Sequence, residues 1–517
     1  MFLTLRTKTL WNRLASRDIS LPASSPHHRT RSLFLRALGL IYLVAFAAAL
    51  RQAAPLIGRD GLLPAHLFLA RLKQIHDSTW DAFWDAPSLF WLAPTDPTLT
   101  VLGAAGLGAS LVLLSGRGNA PLLALLWLLY MSIYQVGQLF YGYGWEILLL
   151  ETGFLSIFFA PLWRATTTTV AVVWLYRWLL FRLMFGAGLI KLRGDTCWTD
   201  LTCLIYHYET QPIPNPLSWY LHQLPAWVHQ GGVLFNHLVE LLVPFFYFAP
   251  RRLRHLAGLL TIAFQSLLIL SGNLAFLNYL TLILCIPLFD DQALAALVPT
   301  RWRRKAPVLA PVHPARRPVL TALVALLSIQ PVLNLLSPHQ AMNRSFDPLH
   351  LVNTYGAFGH IGKERREVII QGTYDPVVDD NTRWLDYEFK HKPGALDRRP
   401  PIIAPYQPRL DWQIWFAAMS DYRRQPWLIH LVYKLLTDDP GIQSLLGPHP
   451  FTQGPPTFIR AELYQYRFTG PGDDIPAWWT RRRLGPYLPP LSATNPDLLR
   501  IIDSFGWPRK STPDKAP

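Results

Sequence analysis

Pro121-Leu-Leu-Ala-Leu-Leu-Trp-Leu-Leu-Tyr-Met-Ser-Ile-Tyr-Gln-Val-Gly-Gln-Leu-Phe140 carries no charged side chain. A helix of roughly 20 apolar residues has the length of a bilayer's hydrocarbon core. Comparable apolar runs flank this stretch at 34–54, 98–115, 145–162, 167–190, 232–249, 255–270, 272–289 and 317–337. The pattern predicts a polytopic α-helical membrane protein with about nine spans. The seventh and eighth runs meet at Ser271-Gly272-Asn273 and read either as a hairpin or as partly re-entrant. The first run starts too far into the chain for a cleavable signal peptide, and further spans follow it.

The composition agrees. Of 517 residues, 51% are hydrophobic and only 16% charged, with a mean hydropathy of +0.18. Average soluble domains carry about 25% charged residues. A disordered chain would need low hydrophobicity, and three cysteines are too few for a disulfide-stapled scaffold. The net charge of +15 follows the topology rather than a nucleic-acid partner. With the N-terminus cytoplasmic, the cytoplasmic segments 1–36, 115–119, 163–166, 250–254 and 290–317 hold 18 Lys and Arg. The opposite loops hold five: Arg59, Arg71, Lys73, Lys191 and Arg193. That asymmetry is the positive-inside pattern, and no nucleic-acid surface is expected.

The expected organisation is a cytoplasmic segment 1–36, a helical bundle 37–337 with an extracytoplasmic loop 191–231, an extracytoplasmic β-rich α+β domain 338–485, and a loose Pro-rich tail 486–517. The residues from Pro338 onward are nearly balanced in charge, with 22 basic and 19 acidic side chains. Alternation predicts strands over 367–374 and 459–468, with Trp384–Lys390 similar. Helices are expected over Trp412–Met419 and Pro426–Leu436.

Ionisable groups inside spans are costly, so they are functional candidates by default. They are Glu146, Glu151, Arg177, Arg182, His237 and Glu240, with Lys191 at a span end. Two readings stand: structural ion pairs that hold the bundle together, or a polar site for a ligand. Cys197 and Cys203 either pair in an oxidising compartment or pack as two small residues. With His207 they lack a fourth metal ligand, so neither a metal nor a cofactor is expected. Nucleophile-elbow, phosphate-loop and dinucleotide motifs are absent from the sequence.

Several blocks resemble the lipase maturation factor family. They are Tyr141-Gly-Tyr-Gly-Trp-Glu-Ile-Leu-Leu-Leu-Glu151, Phe181 to Asp195 continuing to Pro216, Asn353-Thr-Tyr-Gly-Ala-Phe-Gly-His-Ile-Gly362, Lys363 to Gly372, Trp384 to Gly394 and Pro405 to Trp412. In animals the resemblance implies an endoplasmic-reticulum membrane protein needed for secreted dimeric lipases to reach an active fold. The implied partners are the lipid bilayer and a secreted client protein, a lipase among the candidates. Within the matching blocks, Asn353, Tyr355, Gly356, His360, Arg365, Arg366, Trp384, Tyr387 and Trp412 are the expected client-binding residues. The Arg-, Ala- and Pro-rich composition favours a bacterial inner membrane over the reticulum. A shorter stretch, Ala187 to Trp198 followed by His229-Gln-Gly-Gly232, is similar to the membrane region of vitamin K-dependent γ-carboxylases. That similarity places Lys191 at a catalytic lysine and implies an alternative, an integral membrane enzyme.

Overall fold

The computed structural model describes residues 27–162, 170–297, 316–474 and 476–509. Most of the expected cytoplasmic segment 1–36, the turn at 163–166, most of the loop 290–317 and the last eight residues lie outside them.

Six helices among the described residues are long and apolar enough to cross a membrane. They are α1 (His28–Ile57), α2 (Asp96–Leu114), α5 (Val170–Arg193), α6 (Ala226–His237, continued through tighter and wider turns to Phe248), α7 (Arg251–Ser271), and the pair α9 (Arg316–Leu327) and α10 (Ile329–Leu336) taken together. The other three expected spans are shorter helices: α3 (Ala120–Val136), α4 (Gly144–Phe159) and α8 (Leu277–Cys285). Asn119 caps α3, its side chain accepting from the Leu122 N–H. Between α5 and α6, the chain forms two short helices, Cys203–Thr210 and Pro216–His222, rather than an open loop.

The helix ends sort into two groups. At one end, Thr30 N–H donates to Asp291 at 2.9 Å, Ala120 N–H to the Pro161 carbonyl at 2.9 Å, and Arg254 Nε to the Leu288 carbonyl at 2.8 Å. Arg251 pairs with Asp290 there. At the other end, the connections 58–95, 137–143, 194–225 and 272–276 all meet the C-terminal domain. His430 Nδ1 lies 2.7 Å from the Leu62 carbonyl, Gln413 donates to the Leu139 carbonyl at 2.8 Å, and Asn273 clasps the chain at Pro401 to Ala404.

The C-terminal domain is a four-stranded antiparallel sheet with helices packed on it. Its order is β4–β3–β5–β6, with β3 (Arg365–Thr373), β4 (Leu385–Asp386), β5 (Phe458–Phe468) and β6 (Trp479–Leu491). A separate two-stranded ladder joins β1 (Arg344–Ser345) to β2 (Asn353–Thr354). Helices α11 (Arg409–Ala417) and α12 (Pro426–Leu436) supply the apolar cover; Leu428, Leu431, Val432 and Leu435 of α12 are fully buried.

The boundary expected at 485 does not hold. It falls inside β6, which pairs with β5 as far as Leu491. Beyond it, a helix over Pro496–Ser504 buries Leu498 and Ile502, and Trp507 stacks on His430 at 4.3 Å. Pro486, Pro489 and Pro490 gave this stretch a disordered look. An edge strand needs hydrogen bonds on one side only, so it tolerates proline.

Candidate functional site

Three buried charge networks join the bundle to the domain. In the first, the Glu146 carboxylate at the start of α4 meets the Arg409 guanidinium at the start of α11 at 2.8 Å; neither side chain is exposed. Tyr130 donates to the same carboxylate, Arg409 donates to the Phe140 carbonyl at 2.7 Å, and its guanidinium lies 3.5 Å from the Tyr141 ring centroid. Gln52 of α1 completes the clasp: its side chain donates to the Gln407 carbonyl at 2.7 Å and accepts from the Arg409 N–H at 2.8 Å.

In the second network, Glu151 of α4 pairs with Arg182 of α5. The carboxylate also accepts from the Asn353 N–H at 2.9 Å and the Tyr355 hydroxyl at 2.7 Å. Arg182 donates to the Asn353 carbonyl. Helix and domain approach closely here: a Cβ on Gly186 would sit 2.5 Å from the Tyr355 carbonyl oxygen.

The third network is centred on Arg365 of β3. It lies 2.6 Å from Glu367 and donates to the carbonyls of Glu209, Gln211 and Pro212 at 2.8, 2.5 and 2.9 Å. Lys392 holds the other Glu367 oxygen at 2.9 Å. A buried charge costs several kcal/mol unless its partners are complete, so these networks fix how the domain sits on the bundle.

Lys191 and Glu240 form a fourth site of a different kind. Lys191 Nζ, near the end of α5, lies 2.6 and 2.5 Å from the two Glu240 oxygens. Asn236 donates to the same carboxylate at 3.0 Å, and the ammonium lies 5.1 Å from the Trp198 ring centroid. Glu240 sits in the widened turn Leu238–Leu242, where the helix carries an extra residue. Such turns recur at functional sites. A cavity beside the pair is lined by His207, Gln265, Asn278 and Thr281 with apolar neighbours, Phe264 and Phe358 among them. Burial, reinforced by Lys191, pushes the His207 imidazole down to about 4, so it is neutral at pH 7.

The remaining expected residues fall elsewhere. His237 Nε2 lies 3.0 Å from the Trp198 carbonyl, and Arg177 lies over the Trp174 ring. Glu146 and Glu151 belong to the docking networks and not beside Lys191. Cys197 and Cys203 are joined by a disulfide, with Trp198 and Val233 packed around it.

Of the nine residues expected to bind a client, Asn353, Tyr355, Gly356, Arg365, Tyr387 and Trp412 are buried in the folded chain. They have no surface to offer. Trp384 is half-buried beneath Arg460, 4.1 Å from its ring centroid. His360 and Arg366 are exposed. Those two line a cleft of about 600 Å³ between the short helix Cys203–Thr210, the segment 358–366 and α11, with Lys363, Trp415 and Met419. Sequence reasoning missed Arg409, Gln52, Glu367 and Lys392. Arg409 stood inside the matching block Pro405 to Trp412, and that match was the usable signal, since Gln407 and Asp411 beside it keep its charge from standing out.

The family described as lipase maturation factor transmembrane domain matches residues 29–296, and the lipase maturation factor C-terminal domain matches 351–489. Lipase maturation factor 1 of Bos taurus is 48% identical over 514 residues, covering 93% of this chain and 91% of the relative. The Homo sapiens protein of that name is 46% identical over 528 residues, 94% of this chain and 93% of the relative. Lipase maturation factor 2 of Mus musculus is 33% identical over 619 residues, 93% and 86% of the two chains. No solved structure matches. Both parts of the chain, the apolar bundle and the sheet domain clasped to it, are thus matched along nearly their whole length, and the protein belongs to the lipase maturation factor family.

Proposed function

We propose that this chain is a membrane-embedded maturation factor that helps exported client proteins, secreted lipases among them, to reach their active fold. The carrying observation is the 46–48% identity to lipase maturation factor 1 across more than nine-tenths of the chain. The bilayer and the client are its partners, and no cofactor enters this reading. The client engages the cleft that His360 and Arg366 line, and Trp384, just before β4, is a second contact. The test is deletion of the gene in its host, followed by secreted lipase activity per mass of secreted lipase, with a plasmid copy as control. Truncation of residues 341–517 is a second arm: an inserted protein without maturation activity is expected, and full activity would sink the assignment.

The proposed topology has nine crossings, the N-terminus cytoplasmic, and the C-terminal domain in the periplasm or lumen. The alternation of helix ends between the two groups supports nine. Arg29, Arg31, Arg36, Arg117 and Arg251 cluster at the end away from the domain, as the positive-inside pattern requires. The Cys197–Cys203 disulfide belongs to the domain side, which suits an oxidising compartment. A bacterial inner membrane is the favoured location, and the endoplasmic-reticulum membrane is the eukaryotic counterpart.

A second reading is an integral membrane enzyme acting through Lys191. The cavity beside the Lys191–Glu240 pair favours it. A Lys191→Met, Glu240→Leu variant separates the two. It removes both charges together, so the fold is expected to survive; a folded variant with full maturation activity would exclude this reading.

A further inference from the structure

A cleft of about 490 Å³ opens where α1 meets the C-terminal domain, lined by Arg51, Lys390, His391, Tyr406, Asp411 and Ser444. Arg51 lies six residues before the end of α1, about 9 Å along the axis. The Gln52 clasp and the approach of Gly441 to Pro55 seat the domain on these last two turns. Arg51 therefore sits where the helix leaves the hydrocarbon and meets the headgroup layer. It is exposed, and among the described residues no hydrogen bond or ion pair ties its guanidinium.

An unneutralised arginine at that depth is costly in an apolar surround and turns to the interface. The protein offers it little compensation. Asp411 is the one acid lining the cleft, and its Oδ1 already accepts the N–H groups of His391 and Lys392 at 2.8 and 2.9 Å. The carboxylate is 1% exposed. Lys390 reaches across the cleft to the Ser444 carbonyl, a neutral acceptor that leaves its charge unmatched. His391 and Tyr406 add an imidazole and a hydroxyl. The cleft thus gathers two cations and two neutral polar groups about one space, against one acid among the described lining residues, Asp411, whose Oδ1 is held by backbone and whose charge also acts on His391. Guanidinium is the side chain best matched to phosphate, through two parallel N–H donors.

We propose that this cleft binds a phosphate group, with Arg51 and Lys390 as its charged donors and His391 and Tyr406 as its neutral ones. The group has two sources: the headgroup of an anionic phospholipid in the leaflet beside the domain, or free phosphate. The site is separate from the client cleft and does not depend on what the client is.

The experiment uses the full-length protein in detergent and measures binding of two probes by native mass spectrometry: a phosphatidylglycerol and inorganic phosphate. The wild type is compared with an R51Q/K390Q variant whose melting temperature is checked in parallel. Binding of phosphatidylglycerol but not phosphate, weakened roughly tenfold or more in the variant, assigns a lipid headgroup. Binding of phosphate, lost in the variant, assigns the free anion. Binding of neither probe by the wild type, or equal binding by both proteins, overturns the site. Arg51→Glu gives an independent reading at an exposed position should R51Q/K390Q fold poorly. It must weaken binding further than Arg51→Gln alone, and unchanged binding again overturns the proposal.

Discussion

Glu146 and Glu240 are both buried carboxylates in the bundle paired with a cation, yet their surroundings differ. Glu146 finds its partner in the C-terminal domain, and Tyr130, Tyr141 and the Phe140 carbonyl close around the pair. Glu240 finds Lys191 within the bundle, on a distorted turn that faces a cavity. A charge sealed by packing serves to dock one part of the chain on another. A charge that borders empty space retains the freedom to meet something else.

The largest effect is expected where the sealed network is broken. Arg409→Ala leaves Glu146 buried and unpaired, which costs about 3–5 kcal/mol. The domain should come off the bundle, read as a large fall in the detergent melting temperature and as new protease sensitivity near residue 400. Unchanged melting would show that the networks do not fix the domain. Tyr355→Phe removes one hydrogen bond to the Glu151 carboxylate and should cost about 1.5–3 kcal/mol, with the same readout.

Acid provides a graded version of the same break. Burial lowers His430 to about 3 and both His207 and His350 to about 4, against an ordinary 6.5. All three lie in segments that meet at the domain end. The folded chain keeps them neutral, while the unfolded chain binds protons below pH 6.5, so the unfolded state holds more protons. Stability should be full above pH 6.5 and fall steadily as the pH drops towards 4. A melting temperature that is flat from pH 7.5 to 5 would contradict that linkage.

The smallest stability effect is expected at the cleft proposed for the client, which His360 and Arg366 line. His360→Ala with Arg366→Ala touches exposed side chains, and surface changes of this kind stay within about 0.5 kcal/mol. Maturation activity should nevertheless fall. Full activity in that variant would remove the cleft from the account and move attention to the cavity beside Lys191.

The sequence disclosed these regions unequally, for physical reasons. Apolar runs and the alternation in β3 and β5 are direct sequence signals: strands stand at β3 and β5, and helices stand on the runs, six of them long enough to cross a membrane, while the one over 121–140 stops at Val136. The strand β6 was hidden because its prolines suit an edge and imitate a loose tail. The acids and Lys191 stood out as charges in apolar spans. Their pairings did not: Glu146 and Arg409 are 263 residues apart, and periodicity carries no information about contacts at that distance. Matching blocks marked Asn353, Tyr355 and Arg365, but a match does not separate a residue that touches a client from one that holds the domain in place. Burial places these three inside the folded chain.

The central claim is a maturation role, and secreted lipase tests it most directly. In a host with this gene deleted, lipase activity per mass of secreted lipase should fall and return with a plasmid copy, while H360A/R366A should restore it poorly despite a wild-type melting temperature. Unchanged specific activity in the deletion strain would contradict the account.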